Sequence, residues 1–395
     1  MSSPHVAGLA ELLKQRHPDW TPMMIKSALM TSAYDILDGP NTNPLVIFRQ
    51  GAGHVKPNSA ADPGLVFDSD IEDWLGLLCG TQIDPSLCSA NGIAVLNPSD
   101  MNTPSVAISS LLGTQTVTRR VTNVSNGFAT YTAAVSGMEG FAVVVKPRTM
   151  TLAPGQTRSV KLTFVRTSAA LDTYAGGQIT FTGSTLLGGS RHYKVRVPLV
   201  ARPVALTAPP QAAGSYTVKF GYSGPFRAAV RTLAPATTQT GNVAKDGVVT
   251  RSVTIPAGTT YARFALFDAN VTPGSDLDLV VMGPSGDVVG RSGVSTSQEE
   301  VNLVNPAAGT YTVAVQAFRV PGTSGSDFTL FSWVLGSGMA RNVALTAPAA
   351  AVLGTSATIG LNFTGLQAGT KYLGVVDYSD GTALLGAPTF IRVDP

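Results

Sequence analysis

Few side chains in this sequence are of the types that do chemistry, and their spacing is restrictive. Four histidines, His5, His17, His54 and His192, are spread over 395 residues. Ser2 and Ser3 are near His5 in sequence. An activated serine needs a base and an orienting acid that converge from distant segments. Ser2-Ser3-Pro4-His5 offers hydroxyls and a base within one turn, and no acid. Ser3 followed by Pro4 reads more simply as a helix start, a hydroxyl cap and then a proline at the first helical position. No catalytic residue is therefore assigned to this chain. His54, in a Gly-Ala-Gly-His-Val turn, reads as structural, and His17 as exposed. Asp268, Asp276 and Asp278 are carboxylates that loops could gather around Ca²⁺, which needs several oxygen ligands at one point. A solvated strand edge and turn is the preferred reading, and no other metal or cofactor is implied. Cys79 and Cys88 are the two cysteines. A disulfide between them and a pair of free thiols suit the sequence equally well, the first in an oxidising compartment.

The elements that would position these groups change character along the chain. After Pro4, the run Val6, Ala7, Leu9, Ala10, Leu12 and Leu13 is apolar on nearly every side until Lys14. Such a helix belongs in the middle of a domain, covered all round, and this chain offers little to cover it. Thr21-Pro22 starts a second helix, with Ile25, Ala28, Leu29 and Ser32 on one face, and Gly39-Pro40 just beyond its end. From about residue 91 the pattern becomes period-two alternation with frequent turns.

The bulk composition suits that division. Hydrophobic residues make up 44% and charged residues only 13%, about half of the charged share of an ordinary soluble domain. A thinly spread net charge of +3 with no basic run argues against nucleic acid or an anionic membrane as partner. No run of about 18 apolar residues predicts a membrane span. The N-terminus has no positive segment before an apolar core, so no signal peptide is read in this chain.

Met1-Ser2-Ser3-Pro4-His5-Val6-Ala7-Gly8 resembles the tail of the subtilase serine motif, Gly-Thr-Ser-Met-x-x-Pro-His-x-x-Gly. Trp20-Thr21-Pro22 through Leu29-Met30-Thr31-Ser32-Ala33 is similar to the helix that follows it in that family. Gly51-Ala52-Gly53-His54-Val55-Lys56-Pro57 and Ala61-Asp62-Pro63-Gly64-Leu65-Val66-Phe67-Asp68 resemble the end of the catalytic domain in plant-type subtilases. The four stretches stand in the family's order. The resemblance makes Ser3, Pro4, His5 and Gly8 structural remnants of the motif, with His5 serving packing and hydrogen bonding. It also makes Met1 the motif methionine. The nucleophilic serine that precedes it in the family has no position here, nor have the aspartate, the histidine and the oxyanion-hole asparagine. The expectation is an inactive C-terminal part of a secreted serine endopeptidase. Either its reading frame was assigned from an internal methionine codon, or its gene is interrupted.

Downstream, Thr116–Val124, Ala129–Val135, Phe141–Pro147, Ser159–Phe164, Gln178–Phe181 and Tyr193–Leu199 read as strands of one sandwich of about a hundred residues. This block also resembles the fibronectin type III-like domain that follows the plant-type catalytic domain. Asn102-Thr103-Pro104-Ser105, Arg120–Val124 and Leu152–Gln156 carry that likeness. Residues 250–338, with Phe264–Asp268, Asp276–Val281, Gly309–Val315 and Phe328–Trp333, resemble the pre-peptidase C-terminal sandwich domains. Val204–Pro209 recurs as Val343–Pro348, each followed by an alternating strand. The two copies are either separate small sandwiches or partners of one another.

The fold expected is mostly β: tandem β-sandwich domains preceded by a helical remnant of an α/β subtilisin-like catalytic domain. The domains expected are 1–90, the remnant; 91–203, the fibronectin type III-like sandwich; 204–249, repeat copy one; 250–338, the pre-peptidase C-terminal-like sandwich; and 339–395, repeat copy two. The function expected is proteolysis by the intact parent, acting on protein or peptide substrates outside the cell. The alternative is a non-catalytic extracellular β-sandwich scaffold or binding protein. The 1–90 segment is expected to be unstable alone.

Overall fold

The structure is a computed structural model that describes residues 2–36, 39, 42–185 and 192–395. The expectations placed on Met1 and Pro40 lie outside these residues. The fold is mostly β and divides into two compact units, Met1–Thr207 and Ala208–Pro395.

In the first unit, helices α1 (Ser2–Arg16), α2 (Pro22–Thr31), α3 (Pro44–Gln50) and α4 (Pro57–Ala60) lead to a short strand β1 (Leu65–Val66). Helices α5 (Ile71–Thr81) and α6 (Pro85–Ala90) follow. Proline opens α2, α3, α4 and α6, where its missing N–H costs no helical hydrogen bond. Thr21, Asn43 and Asp84 cap three of them by accepting from the backbone N–H of Met24, Leu45 and Ser86. Helix α5 begins with a reciprocal Asp70–Asp73 capping box. Helix α1 differs from the sequence reading, because it already includes Ser2. Ser3 thus sits in the first helical turn and is not the residue before it.

Strands β2 (Val106–Leu111), β3 (Thr114–Asn123), β4 (Ala129–Gly137), β5 (Phe141–Lys146), β6 (Thr149–Leu152), β7 (Thr157–Arg166), β8 (Ala175–Thr185) and β9 (His192–Pro203) build a sandwich. One sheet has the order β1-β3-β7-β5 and the other β2-β9-β8-β4-β6. Alternation decides which side chains enter the core. Ala129, Tyr131 and Ala133 point inward from β4, and Val160, Leu162 and Phe164 from β7. The helical segment donates β1 to the sandwich, with Leu65 opposite Asn123 and Val66 opposite Thr122.

The second unit holds two sandwiches, one inserted in the other. The inserted one pairs Thr237–Val243, Ser326–Gly336, Thr259–Ala265 and Glu300–Val304 in one sheet, and Val248–Ile255, Gly309–Arg319, Asp276–Met282 and Val288–Ser292 in the other. Phe264, Leu277, Leu279, Val313 and Val315 fill its core. The surrounding sandwich is made from the two repeat copies. Tyr216–Phe220 runs antiparallel to Ser356–Phe363, with Tyr216 opposite Ile359. Arg227–Pro235 pairs with Tyr372–Ser379. The copies are therefore partners, and neither closes a sandwich alone. A cluster of Tyr261, Phe267, Phe331, Trp333, Leu373 and Val375 joins the two sandwiches. Lys371 and Arg392 lie 4.8 and 4.1 Å from the Phe267 ring centroid, the geometry of a cation–π contact.

Candidate functional site

The motif-like residues Ser3, Pro4, His5 and Gly8 lie in the first two turns of α1, and all four are exposed. The apolar run of this helix is mostly uncovered: Leu13 is its one buried residue, while Val6 is 39% and Leu12 61% exposed. Gly8 has open space where a Cβ would project. Between α1, α2 and the turn at Ala52–Val55 runs an open groove of about 630 Å³, with Ser3, Val6, Ala10, Ile25, Leu29 and Val55 among its lining. Its walls are apolar and carry few groups able to transfer a proton. It is shaped to receive apolar surface.

Beneath the groove, Leu13, Trp20, Ile25, Ala28, Leu29, Ala60 and Val66 form a small core. His17 departs from the exposed position expected of it. Its ring stacks on Trp20 with centroids 3.8 Å apart, and its Nε2 lies 2.9 Å from the Ala61 carbonyl oxygen. The chain turns at Pro18-Asp19, which brings the two rings together. His54 bridges Tyr34 through the backbone, and its Nδ1 lies 3.0 Å from the Val55 oxygen. Both imidazoles are thus engaged with main-chain carbonyls.

Polar clips hold this segment to the sandwich. Ser27 Oγ, buried on α2, accepts from the Phe67 N–H at 2.8 Å. The Thr21 hydroxyl donates to Asp68 at 2.6 Å, and Asn102 Nδ2 donates to the Asp68 carbonyl at 2.7 Å. Arg196 of β9 is buried, pairs with Asp35 and donates to the Ala33 carbonyl. Arg120 of β3 grips both Asp73 oxygens of α5 at 3.2 and 2.5 Å. Arg119, on the opposite face, donates to the carbonyls of Ser99, Thr103 and Ser105. Burial, opposed by Asp100, pulls its guanidinium down to about 10. The sequence reading passed over all three arginines. For Arg120 and Arg196 the signal was a long cationic side chain between inward neighbours, as in Val195-Arg196-Val197, whereas Arg119 stands on the inward face itself with Val117 and Val121.

Cys79 and Cys88 form a disulfide with Cα atoms 6.0 Å apart, linking α5 to α6. Asp84 caps α6 between them, and the hydrogen bond from the Ser86 N–H holds its carboxyl below the usual range.

Asp268 is exposed in a one-turn helix, Asp268–Asn270, while Asp276 and Asp278 share one strand. The carboxylate that joins Asp276 and Asp278 is Glu299, which the sequence reading missed. Glu299 is fully buried and accepts from the Val294 N–H at 2.7 Å and from the Ser292 hydroxyl. Burial first, then Glu299 and Asp276, raise the Asp278 carboxyl above its ordinary value. Among the described residues no group of three or more His, Cys, Asp or Glu side chains is arranged to hold a metal ion, the trio Asp268, Asp276 and Asp278 included. No helix among them is long and apolar enough to cross a membrane.

Two stretches of the chain match known families. Residues 1–53 match the subtilase family, and residues 100–201 match a fibronectin type-III domain. The similarity to plant subtilisin-like proteases extends over about half of the chain. Subtilisin-like protease SBT2.5 of Arabidopsis thaliana is 41% identical over 221 residues, 51% of this chain and 26% of that protein. Subtilisin-like protease SBT2.6 of the same plant is 39% identical over the same shares. The chain thus spans about a quarter of the length of these relatives. A solved tripeptidyl peptidase 2 covers 88% of this chain and 27% of its own, at 13% identity and a TM-score of 0.27, too low to define a shared fold.

Proposed function

We propose that this chain is the C-terminal part of a secreted subtilisin-like serine endopeptidase and does not hydrolyse peptides by itself. Every group of a serine-protease mechanism (nucleophile, general base, orienting acid and oxyanion donors) would come from sequence outside residues 1–395. The observation that carries this reading is α1. A helix that leaves Val6 and Leu12 exposed and carries a mid-helix Gly8 with open space above it is costly in isolation. The groove between α1 and α2 would dock the remainder of a catalytic domain. Ser3, Pro4, His5 and Gly8 then serve as structural residues of the motif. Export is supported by the Cys79–Cys88 disulfide, which suits an oxidising compartment. In this reading residues 1–90 are the remnant and 91–203 the fibronectin-like sandwich. The 250–338 block is a pre-peptidase C-terminal-like sandwich flanked by the modules 204–249 and 339–395.

A second reading, a non-catalytic extracellular scaffold, draws on the self-contained cores of the second unit. Peptidase assay of the purified 1–395 chain, with an active-site serine probe, separates activity from inactivity. Labelling and hydrolysis above background would overturn the proposal. Mass spectrometry of the native N-terminus separates the two readings. A native protein extended by a catalytic domain supports the protease, and one beginning at Met1 supports the scaffold.

A further inference from the structure

Three Asn-x-Ser/Thr triplets occur in the sequence: Asn123-Val124-Ser125, Asn270-Val271-Thr272 and Asn362-Phe363-Thr364. This triplet is the acceptor signal for N-linked glycosylation in proteins that enter a eukaryotic secretory pathway. The fold gives the three asparagines different environments. Asn123 is fully buried. Its Nδ2 donates to the carbonyls of Gly127 and Leu152, both at 3.0 Å. Its Oδ1 accepts from the Ser125 N–H at 3.1 Å, the Ser125 hydroxyl at 2.8 Å and the Tyr131 hydroxyl at 3.3 Å. The acceptor amide and the hydroxyl of its own triplet are both consumed inside the sandwich. Asn270 is half-buried in a one-turn helix, and its Thr272 hydroxyl accepts from the Asp327 N–H at 2.9 Å. Asn362 is exposed near the end of the strand Ser356–Phe363, opposite Ala344. Thr364 is also exposed, and its N–H donates to the Asn342 carbonyl at 2.9 Å.

We propose that Asn362 is an N-glycan acceptor and that Asn123 is not one in the folded protein. This rests on the reading that the protein is exported. The Asn362 Nδ2 forms a bond to the anomeric carbon of an oligosaccharide carried on a lipid diphosphate. The anomeric C–O bond breaks, the lipid diphosphate leaves with the electron pair, and the host transferase takes the amide proton. A glycan at Asn362 projects into solvent from the strand Ser356–Phe363. A glycan at Asn123 would have to displace the Leu152 and Gly127 carbonyls and empty the space beside Tyr131, so chains carrying it fail to close the sandwich.

The test expresses the full chain behind a heterologous export signal in a eukaryotic cell, in an Asn270→Gln background, and maps glycopeptides before and after amidase removal of N-glycans. Occupied Asn362 in total cell protein, lost in both Asn362→Gln and Thr364→Ala, is the expected result, with bare Asn123 in the protease-resistant fraction. An unoccupied Asn362 in total protein overturns the proposal, as does an occupied Asn123 in the protease-resistant fraction. The melting temperature of Asn362→Gln should match the parent, because the side chain holds nothing in place. Export is tested separately by locating the natural protein. A glycosylated Asn362 behind the borrowed signal, with the natural protein outside the secretory pathway, would sink the export reading and leave the acceptor assignment standing.

Discussion

The first unit contains two regions built from the same apolar residue types and finished to different degrees. In the sandwich the inward apolar side chains of the two sheets share one core, and Leu152, Phe164 and Leu199 are fully buried. In the α1–α2 region the apolar residues outnumber the surfaces that could cover them, and the core there is small. The difference teaches that apolar content alone does not make a core. A sandwich closes because its two sheets supply both faces. The apolar side chains of α1 need neighbours to cover them, and here they have α2 and little else.

The sharpest way to break this comparison is to remove buried volume from each side. Phe164→Ala in the sandwich should cost about 3–5 kcal/mol, read as an earlier urea midpoint of the first unit. Leu12→Ser on α1 should change the same midpoint by less than about 0.5 kcal/mol and reduce aggregation. Equal losses at both sites would show that α1 is covered in solution.

Next in size is the disulfide. Paired Cys79→Ser and Cys88→Ser substitutions should destabilise the α5–α6 hairpin by about 2–3 kcal/mol. Hydrogen exchange should then rise across residues 71–90, with the sandwich core unchanged. A global loss of protection would mean that the hairpin and the sandwich unfold together. The Arg120–Asp73 clip is smaller. Its guanidinium is partly exposed, so Arg120→Ala should cost on the order of 1 kcal/mol and lose part of that effect in high salt.

The smallest effect is expected in the second unit. The Asp278 carboxyl is raised by burial and by Glu299 and Asp276, so ionising it is harder in the folded state than in the unfolded chain. The sign follows. Asp278 carries no penalty below the ordinary aspartate range, near pH 4, and carries one that grows as pH rises through the raised value. Asp278→Asn should therefore raise the melting temperature at pH 7 and leave it unchanged at about pH 3. The gain should be below about 0.5 kcal/mol, since the group is largely solvent-screened. A gain that persisted at acid pH would exclude the carboxylate cluster as its source.

Much of the fold was legible in the sequence because period-two alternation is a local signal. Thr116–Val124 and Ala129–Val135 lie within or one residue beyond β3 and β4, and Thr21-Pro22 starts α2 as its chemistry requires. Local pattern carried less weight where the outcome depended on partners distant in sequence. Ser3 reads as a cap, yet α1 extends past it to Ser2. His17 reads as exposed, yet a turn through Pro18 lays it on Trp20. The repeat of Val204–Pro209 at Val343–Pro348 was visible, but not that the strands following the two copies pair across an inserted sandwich.

The sequence by itself determined the mostly β composition, the start of α2 at Thr21-Pro22 and the order of motif-like stretches from Pro4 to Asp68. Each of these depends on neighbours a few residues away. Tertiary structure alone decided that Glu299, not Asp268, sits with Asp276 and Asp278, that Cys79 and Cys88 are joined, and that Arg196 finds Asp35. It also decided that the acceptor triplets at Asn123 and Asn362 end in a core and in solvent. Burial and charge pairing are set by which segments meet in space, and a one-dimensional pattern carries no such distances.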